Sequence, residues 1–190
     1  MTLTRRTPEG EEEASARRNV WLRLDDAALL KECHQERYRA SGPGGQRRNK
    51  VETAIRLHHR LSGLVAQAEE SRSPEENRTR AIRRLRERMA VELRAPFDLG
   101  APPPVPELAA HLGPDSALSI NPRNRAYPIV VATVLDALEA GEGSYAKAAR
   151  ALGLSTSQVL RFLRSDAQVW RAVQEARRRR AAQTTTGGAS

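Results

Sequence analysis

Thr53-Ala54-Ile55-Arg56-Leu57-His58-His59-Arg60-Leu61-Ser62-Gly63-Leu64-Val65-Ala66-Gln67-Ala68 reads as two short strands about a tight turn. Side chains alternate across a strand, so Thr53 to His59 places Ile55 and Leu57 on one face and Ala54, Arg56 and His58 on the other. Ser62-Gly63 supplies the hairpin turn into Leu64 to Ala68, which predicts antiparallel pairing. On the C-terminal side, Ser73-Pro74-Glu75-Glu76 is a helix start: a capping hydroxyl, a proline at the first helical position and acids in the first turn. Ile82, Leu85, Met89 and Leu93 recur at helical spacing, carrying that helix to about Arg94 with arginine on most of its other faces. On the N-terminal side, Gln35 to Ser41 reads as extended, and Asp25 or Asp26 caps a short helix containing Ala28, Leu29 and Leu30, with Cys33 expected as a structural helix residue. The fold class is α+β: a small mixed or antiparallel sheet packed with a long helix, over residues 22–95.

Residues 1–21 are polar and unpatterned, and read as a flexible lead-in. Over 96–127, Pro96, Pro102, Pro103, Pro104, Pro106, Pro114 and Pro122 interrupt every periodicity, so the segment is expected to be a linker that holds two modules apart. Over 128–180 helical pattern returns. Ser144 caps one helix, Gly153 supplies a turn, and Ser155 with Gln158 forms a capping box for the next. Ala148, Ala149, Leu152, Leu154, Val159 and Phe162 fall where two closely crossing helices need small or apolar residues, a spacing that resembles the helix-turn-helix motif. Thr156, Ser157, Gln158, Arg161 and Arg164 are then the exposed positions. Asp166 caps a last helix running into Arg177 to Arg180, and 181–190 is expected to be a disordered tail.

The chain has 32 Lys and Arg against 23 Asp and Glu, a formal net charge of +9, so a polyanion is the leading class of partner. Its single cysteine excludes an intramolecular disulfide and a cysteine metal cage, and a reducing cytoplasm is the simplest compartment. No apolar run approaches the roughly 20 residues of a membrane span, and no signal peptide is evident. No metal or cofactor is expected. His58 and His59, adjacent in a strand, point to opposite faces, and His34 beside Cys33 lacks the orienting partner that a Cys-His nucleophile needs.

Between the two extended segments lies Ser41-Gly42-Pro43-Gly44-Gly45-Gln46-Arg47-Arg48-Asn49-Lys50. Gly44 and Gly45 permit backbone conformations and close approaches that a side chain would block. An amide and three cations follow, so the tip suits a narrow polyanionic cavity, with Arg47, Arg48 and Lys50 neutralising phosphates and Asn49 fixing the backbone. The spacing fits neither a phosphate loop nor a dinucleotide fingerprint.

Gly44-Gly45-Gln46-Arg47-Arg48-Asn49-Lys50, with Arg39 to Pro43 before it, Thr53 to His58 and Gly63-Leu64-Val65 after it, and the arginine-rich helix from Ser73, resembles the catalytic domain of bacterial class I peptide-chain release factors and their small ribosome-rescue relatives. The resemblance covers roughly Asp26 to Arg94. It implies that Gln46 sits at the peptidyl-transferase centre of the large ribosomal subunit, beside the ester of peptidyl-tRNA. There its backbone N–H would stabilise developing negative charge while its side chain positions water, with Gly44 and Gly45 shaping the loop. It further implies docking on ribosomal RNA through Arg47, Arg48, Asn49 and Lys50. Arg56, Arg72, Arg78, Arg161, Arg164, Arg177, Arg178, Arg179 and Arg180 are added as RNA-binding candidates. Gln46 is the position at which a glutamine methyltransferase would act.

Only about 25 residues precede the matching part, too few for a codon-reading module, so codon-independent release on stalled ribosomes by a monomer is expected. Small rescue factors usually carry a basic tail after the catalytic domain, whereas here the proline-rich segment and the helical module follow. The alternative is a non-catalytic ribosome- or RNA-binding adaptor or translation regulator that keeps the loop only for docking. A regulator reading DNA through residues 144–164 would have no use for the Gly-Gly-Gln loop.

Overall fold

The computed structural model describes residues 8–39, 52–113 and 117–186, which fall into two compact units, Met1–Leu93 and Arg94–Ser190. The architecture is α+β: among the described residues, the first unit holds a three-stranded antiparallel sheet and three helices, and the second is helical.

In the first unit, strands β1 (Cys33–Tyr38), β2 (Ala54–His59) and β3 (Val65–Ala68) are ordered β1-β2-β3. The β2–β3 hairpin forms as its residues predict, pairing Leu57 with Ala66 and turning through Gly63 at φ 63°. That left-handed conformation is one that glycine adopts at no steric cost. Helix α3 (Pro74–Glu92) packs across β2 and β3, burying Ala81, Ile82, Leu85, Met89 and Ala90 over Ile55, Leu57, Ala66 and Ala68. Ser73 caps it by accepting the Glu76 N–H at 3.3 Å. Helix α2 (Asp26–Lys31) is capped by Asp25, whose carboxylate accepts the Ala28 N–H at 2.7 Å. It ends soon enough that Cys33 opens β1 instead of lying in the helix.

The largest departure from the sequence reading is at the N-terminus. Where a flexible lead-in is expected over 1–21, helix α1 (Pro8–Arg23) packs on α3 and buries Ala14, Arg18, Trp21 and Leu22. These four stand at i, i+4, i+7 and i+8, one helical face. The face escapes a hydrophobicity scan because its second member is an arginine and its first an alanine. Fully buried Arg18 donates from Nη1 to the Leu93 carbonyl at 2.8 Å and from Nη2 to Asn19 Oδ1 at 2.7 Å. Arg86 on α3 makes the matching tie, donating to Asp26 Oδ1 at 2.6 Å and to the Leu24 carbonyl at 2.8 Å. Two buried guanidiniums thus fasten α1, α2 and α3 by satisfying carbonyls that helix ends leave open.

The second unit is built on α5 (Tyr127–Ala140), buried at every position from Tyr127 to Leu138. A helix apolar on all sides belongs in the middle of a unit. Helix α6 (Tyr145–Ala151) and α7 (Thr156–Arg164) follow, joined through Gly153 at φ 67°, and then α8 (Ala167–Thr186). The capping box of α7 is present in both directions, with Ser155 N–H to Gln158 Oε1 at 2.8 Å and Gln158 N–H to Ser155 Oγ at 3.2 Å. Ala148, Ala149, Leu152, Leu154, Val159 and Phe162 are all buried. The segment read as a free linker, 96–127, departs from expectation within its described part. Helix α4 (Pro106–Ala109) buries Leu108 and packs on α5, Leu112 bridges Leu118, and the preceding Ala95 N–H is held by the buried Asp136 carboxylate at 3.1 Å. Proline stops helix and strand periodicity without preventing an irregular segment from covering an apolar helix. α8 runs through Thr186, into the stretch read as a tail.

Replacing Arg18 by Ala removes the buried guanidinium that donates to the Leu93 carbonyl, a loss expected to cost about 1–3 kcal/mol. Arg17→Ala removes only an exposed ion pair to Glu13. Urea denaturation is expected to show the first change lowering the midpoint clearly and the second leaving it nearly unchanged. Equal midpoints would refute the role given to Arg18.

Candidate functional site

The Gly-Gly-Gln loop joins β1 to β2, and its residues Gly44, Gly45, Gln46, Arg47, Arg48, Asn49 and Lys50 lie outside the described residues. The stem that carries it is described. Its last strand pair is Tyr38 with Ala54, and beyond it Arg39 Nε meets Glu52 Oε1 at 3.5 Å. Both partners of that ion pair are more than half exposed, so it adds little stability. The strong fixation comes from Asn77, in the first turns of α3 and fully buried. Its Nδ2 donates to the Thr53 carbonyl and to the Ser71 carbonyl, each at 2.8 Å, and its Oδ1 accepts the Ser71 N–H at 2.9 Å. One amide therefore locks the residue through which the loop enters β2 to the turn that starts α3. The sequence reading does not single out Asn77; the signal available was an amide placed where the helical face toward the sheet expects an apolar residue.

The outward face of the sheet is polar. Glu36 lies between three cationic or titratable groups, with His58 Nε2 at 3.4 Å, His34 Nδ1 at 3.7 Å and Arg56 Nη1 at 3.8 Å. Arg56 also stacks over Tyr38, 4.7 Å from the ring centre, and donates to Gln67 Oε1 at 3.2 Å. Burial pushes the Tyr38 phenol up, helped by its hydrogen bond to Glu69. Among the described residues no set of three His, Cys, Asp or Glu side chains is arranged to hold a metal ion.

The inward face carries Cys33 and His59, paired across β1 and β2. Burial pushes the Cys33 thiol up to about 11 against the lowering field of Arg60, so it stays protonated and is a poor nucleophile. Its neighbour His34 is on the opposite, exposed face. His59 stands edge-on to Trp21 of α1 at 4.4 Å, with Nδ1 accepting the Ser62 N–H at 3.2 Å and lying 2.8 Å from Ser62 Oγ. Burial, then the fields of Arg17 and Arg60, lower its pKa to about 4.

The arginine candidates divide by what they already touch. Arg78 donates to Gln35 Oε1 at 3.1 Å and pairs with Glu75 at 2.5 Å, so it ties α3 to β1. Arg72 is exposed, with no partner among the described residues. In the second unit, Arg177 donates to the Tyr145 hydroxyl at 3.2 Å and stacks on its ring at 5.3 Å, while Arg180 pairs with Glu139 at 2.6 Å. These two brace α8 against α5 and the start of α6. Arg178 and Arg179 are exposed, Arg179 within 3.9 Å of Glu175. Arg161 is exposed, and exposed Arg164 stacks on Trp170 at 5.0 Å.

In the sequence the Gly44-Gly45-Gln46 stretch falls between β1 and β2 of the sheet-and-helix unit. Residues 29–96 match the family model described as the RF-1 domain. The chain is 46% identical over 65 residues to peptide chain release factor 1 of Chloroherpeton thalassium, covering 34% of this chain and 18% of that protein. It is 45% identical over 65 residues to peptide chain release factor 2 of Neorickettsia sennetsu, with the same coverage of 34% and 18%. Against peptide chain release factor 1 of Chlorobaculum tepidum it is 39% identical over 82 residues, covering 43% of this chain and 20% of the relative. The chain thus spans about a fifth of the length of these relatives. Helix α1 lies wholly before the matched residues. No helix among the described residues is long and apolar enough to cross a membrane.

The His59 shift makes a signed prediction. Its pKa in the fold, about 4, is below the ordinary 6.5, so the fold favours neutral imidazole. That stabilisation is fully present above pH 6.5 and is lost as pH falls through about 4. Urea midpoints are expected to decline over that window, and the imidazole resonance of His59 to titrate near its lower end. Titration of His59 near 6.5 would contradict the neutral, buried assignment.

Proposed function

We propose that the protein catalyses ribosome-dependent hydrolysis of the ester bond of peptidyl-tRNA, releasing the nascent peptide. The observation that carries this reading is the Gly44-Gly45-Gln46 sequence in the β1–β2 connection of a segment that matches the release-factor domain. Gln46 is neither a strong base nor a strong nucleophile. Its contribution is a backbone N–H aimed at developing negative charge, which costs little reorganisation and is worth roughly 3 kcal/mol to a transition state. Its side chain orients water, and Gly44 and Gly45 let the tip approach the ester. The remaining catalytic environment belongs to the large-subunit RNA of the peptidyl-transferase centre and to the tRNA, so the protein alone is a poor esterase.

Arg47, Arg48, Asn49 and Lys50 dock the tip on RNA, supported by Arg56 and Arg72 on the same unit. Arg78 serves the stem. A glutamine methyltransferase acting at Gln46 completes the set of partners, alongside the ribosome and peptidyl-tRNA. No metal or cofactor takes part, and the working form is a monomer in the cytoplasm. Release proceeds without reading a codon, on stalled ribosomes. The competing reading is an adaptor that docks through the same loop and hydrolyses nothing.

The test is single-turnover peptide release from saturated ribosome complexes carrying peptidyl-tRNA, with a stop codon, a sense codon and an empty A site. The unmodified chain is expected to release in all three. Gln46→Ala keeps the backbone donor and should retain part of the rate; Gln46→Pro deletes it and should fall by roughly 100-fold or more, with binding measured separately because proline also bends the loop. Binding without release by the unmodified chain would establish the adaptor.

A further inference from the structure

We propose that the outward face of α7 is a docking surface for the phosphate backbone of double-helical RNA, separate from the loop that acts on the ester. Of the nine residues of α7, Val159, Phe162 and Leu163 are buried, Gln158 and Leu160 are half-buried, and Thr156, Ser157, Arg161 and Arg164 are exposed. Ser157, Arg161 and Arg164 stand at i, i+4 and i+7, so at 100° per residue they form one stripe on the side opposite the buried three, with Thr156 apart from it in the first turn. The stripe holds two guanidiniums and a small hydroxyl, and the helix contains no acid.

The surrounding carboxylates do not neutralise it. Glu139 is held by Arg180, Glu142 by Lys147 and Glu175 by Arg179. Asp136 holds the Ala95 N–H, and Asp166 accepts from the Tyr127 hydroxyl and caps α8. Among the described residues the Arg161 side chain makes no hydrogen bond or ion pair, and that of Arg164 has only the Trp170 ring, which orients its guanidinium without neutralising it. Exposed Arg150 on α6 is likewise without an ion pair among the described residues.

The same geometry says what kind of contact the face makes. Gln158 is the amide on α7 that could grip an adenine edge, and its Oε1 is already bonded to the Ser155 N–H in the capping box. What remains outward is cationic and suited to phosphate oxygens, so recognition follows backbone shape more than base sequence. RNA is chosen over DNA because it is the polyanion of the proposed reaction; that choice rests on the peptide-release reading, whereas the cationic face does not.

The experiment titrates the full chain into a labelled RNA hairpin duplex, and into a DNA duplex of the same sequence, over a range of salt. Arg161→Gln/Arg164→Gln is compared with Arg80→Gln/Arg83→Gln, which removes the same charge from arginines already paired with Glu76 and Glu87. The α7 double change is expected to weaken RNA binding about tenfold and to lower the slope of log affinity against log salt by about 2, one for each guanidinium withdrawn from a phosphate. Arg161→Gln alone, which disturbs no side-chain partner among the described residues, should lower the slope by about 1. Equal effects of the two double changes would overturn the proposal, as would DNA binding as tight as RNA binding, or no hairpin binding by the unmodified chain. Release at saturation reads the other site independently: the α7 changes should leave it intact, and its loss in the Gln46 variants says nothing about α7.

Discussion

The register between β1 and β2 is the constraint on which the first unit turns. In the observed pairing Ile55, Leu57 and His59 share the buried face while Arg56 and His58 lie on the outward face with Glu36. A slip of one residue would drive Arg56 and His58 into the α3 interface and lift two large apolar side chains into water. Because the strands cannot slide, the ends of the connecting loop are held at Tyr38 and Ala54. Asn77 then removes the remaining freedom where the loop enters β2. A segment carried on a long connection gains its precision from such a stem.

Much of this was legible from residues that act locally. Ser73, Asp25, Ser155 with Gln158, Gly63 and Gly153 each satisfy or bend the backbone within a few positions of themselves, so their sequence signatures are nearly complete descriptions of what they do. The alternation of Ile55 and Leu57 reports burial for the same reason. Other features were hidden because the partner lies far along the chain. Arg18 reads as one more solvated cation until Leu93 is placed beside it, and with that arginine in its buried face α1 shows no apolar stripe. Asn77 reads as a surface helix residue until Thr53 and Ser71 surround it. The prolines over 96–127 correctly deny regular structure and say nothing of whether an irregular chain packs.

An arginine-rich sequence also conceals a division of labour. Arg18 and Arg86 are structural, buried among backbone carbonyls. Along α3, Arg83 and Arg88 pair with Glu87 and Glu92 one turn on, so much of the apparent charge of that helix is satisfied within it. In the second unit Arg177 and Arg180 are braces, while Arg178 beside them is open to solvent. Counting cations therefore overstates the surface available to a polyanion. The cations that remain open are the ones a polyanion can reach.

The tie between Arg18 and Leu93 has a bearing on how the unit comes into being. The two residues are 75 positions apart, and each belongs to an end of the first unit. During vectorial synthesis α1 emerges first with its guanidinium unmatched, and its acceptor appears only when the whole of α3 has been made. A contact of such long sequence separation is slow to form, because the loop it closes must be ordered first. The clasp between the earliest helix and the end of the first unit can therefore close only once Leu93 has been made, and a nascent chain interrupted before that residue lacks it.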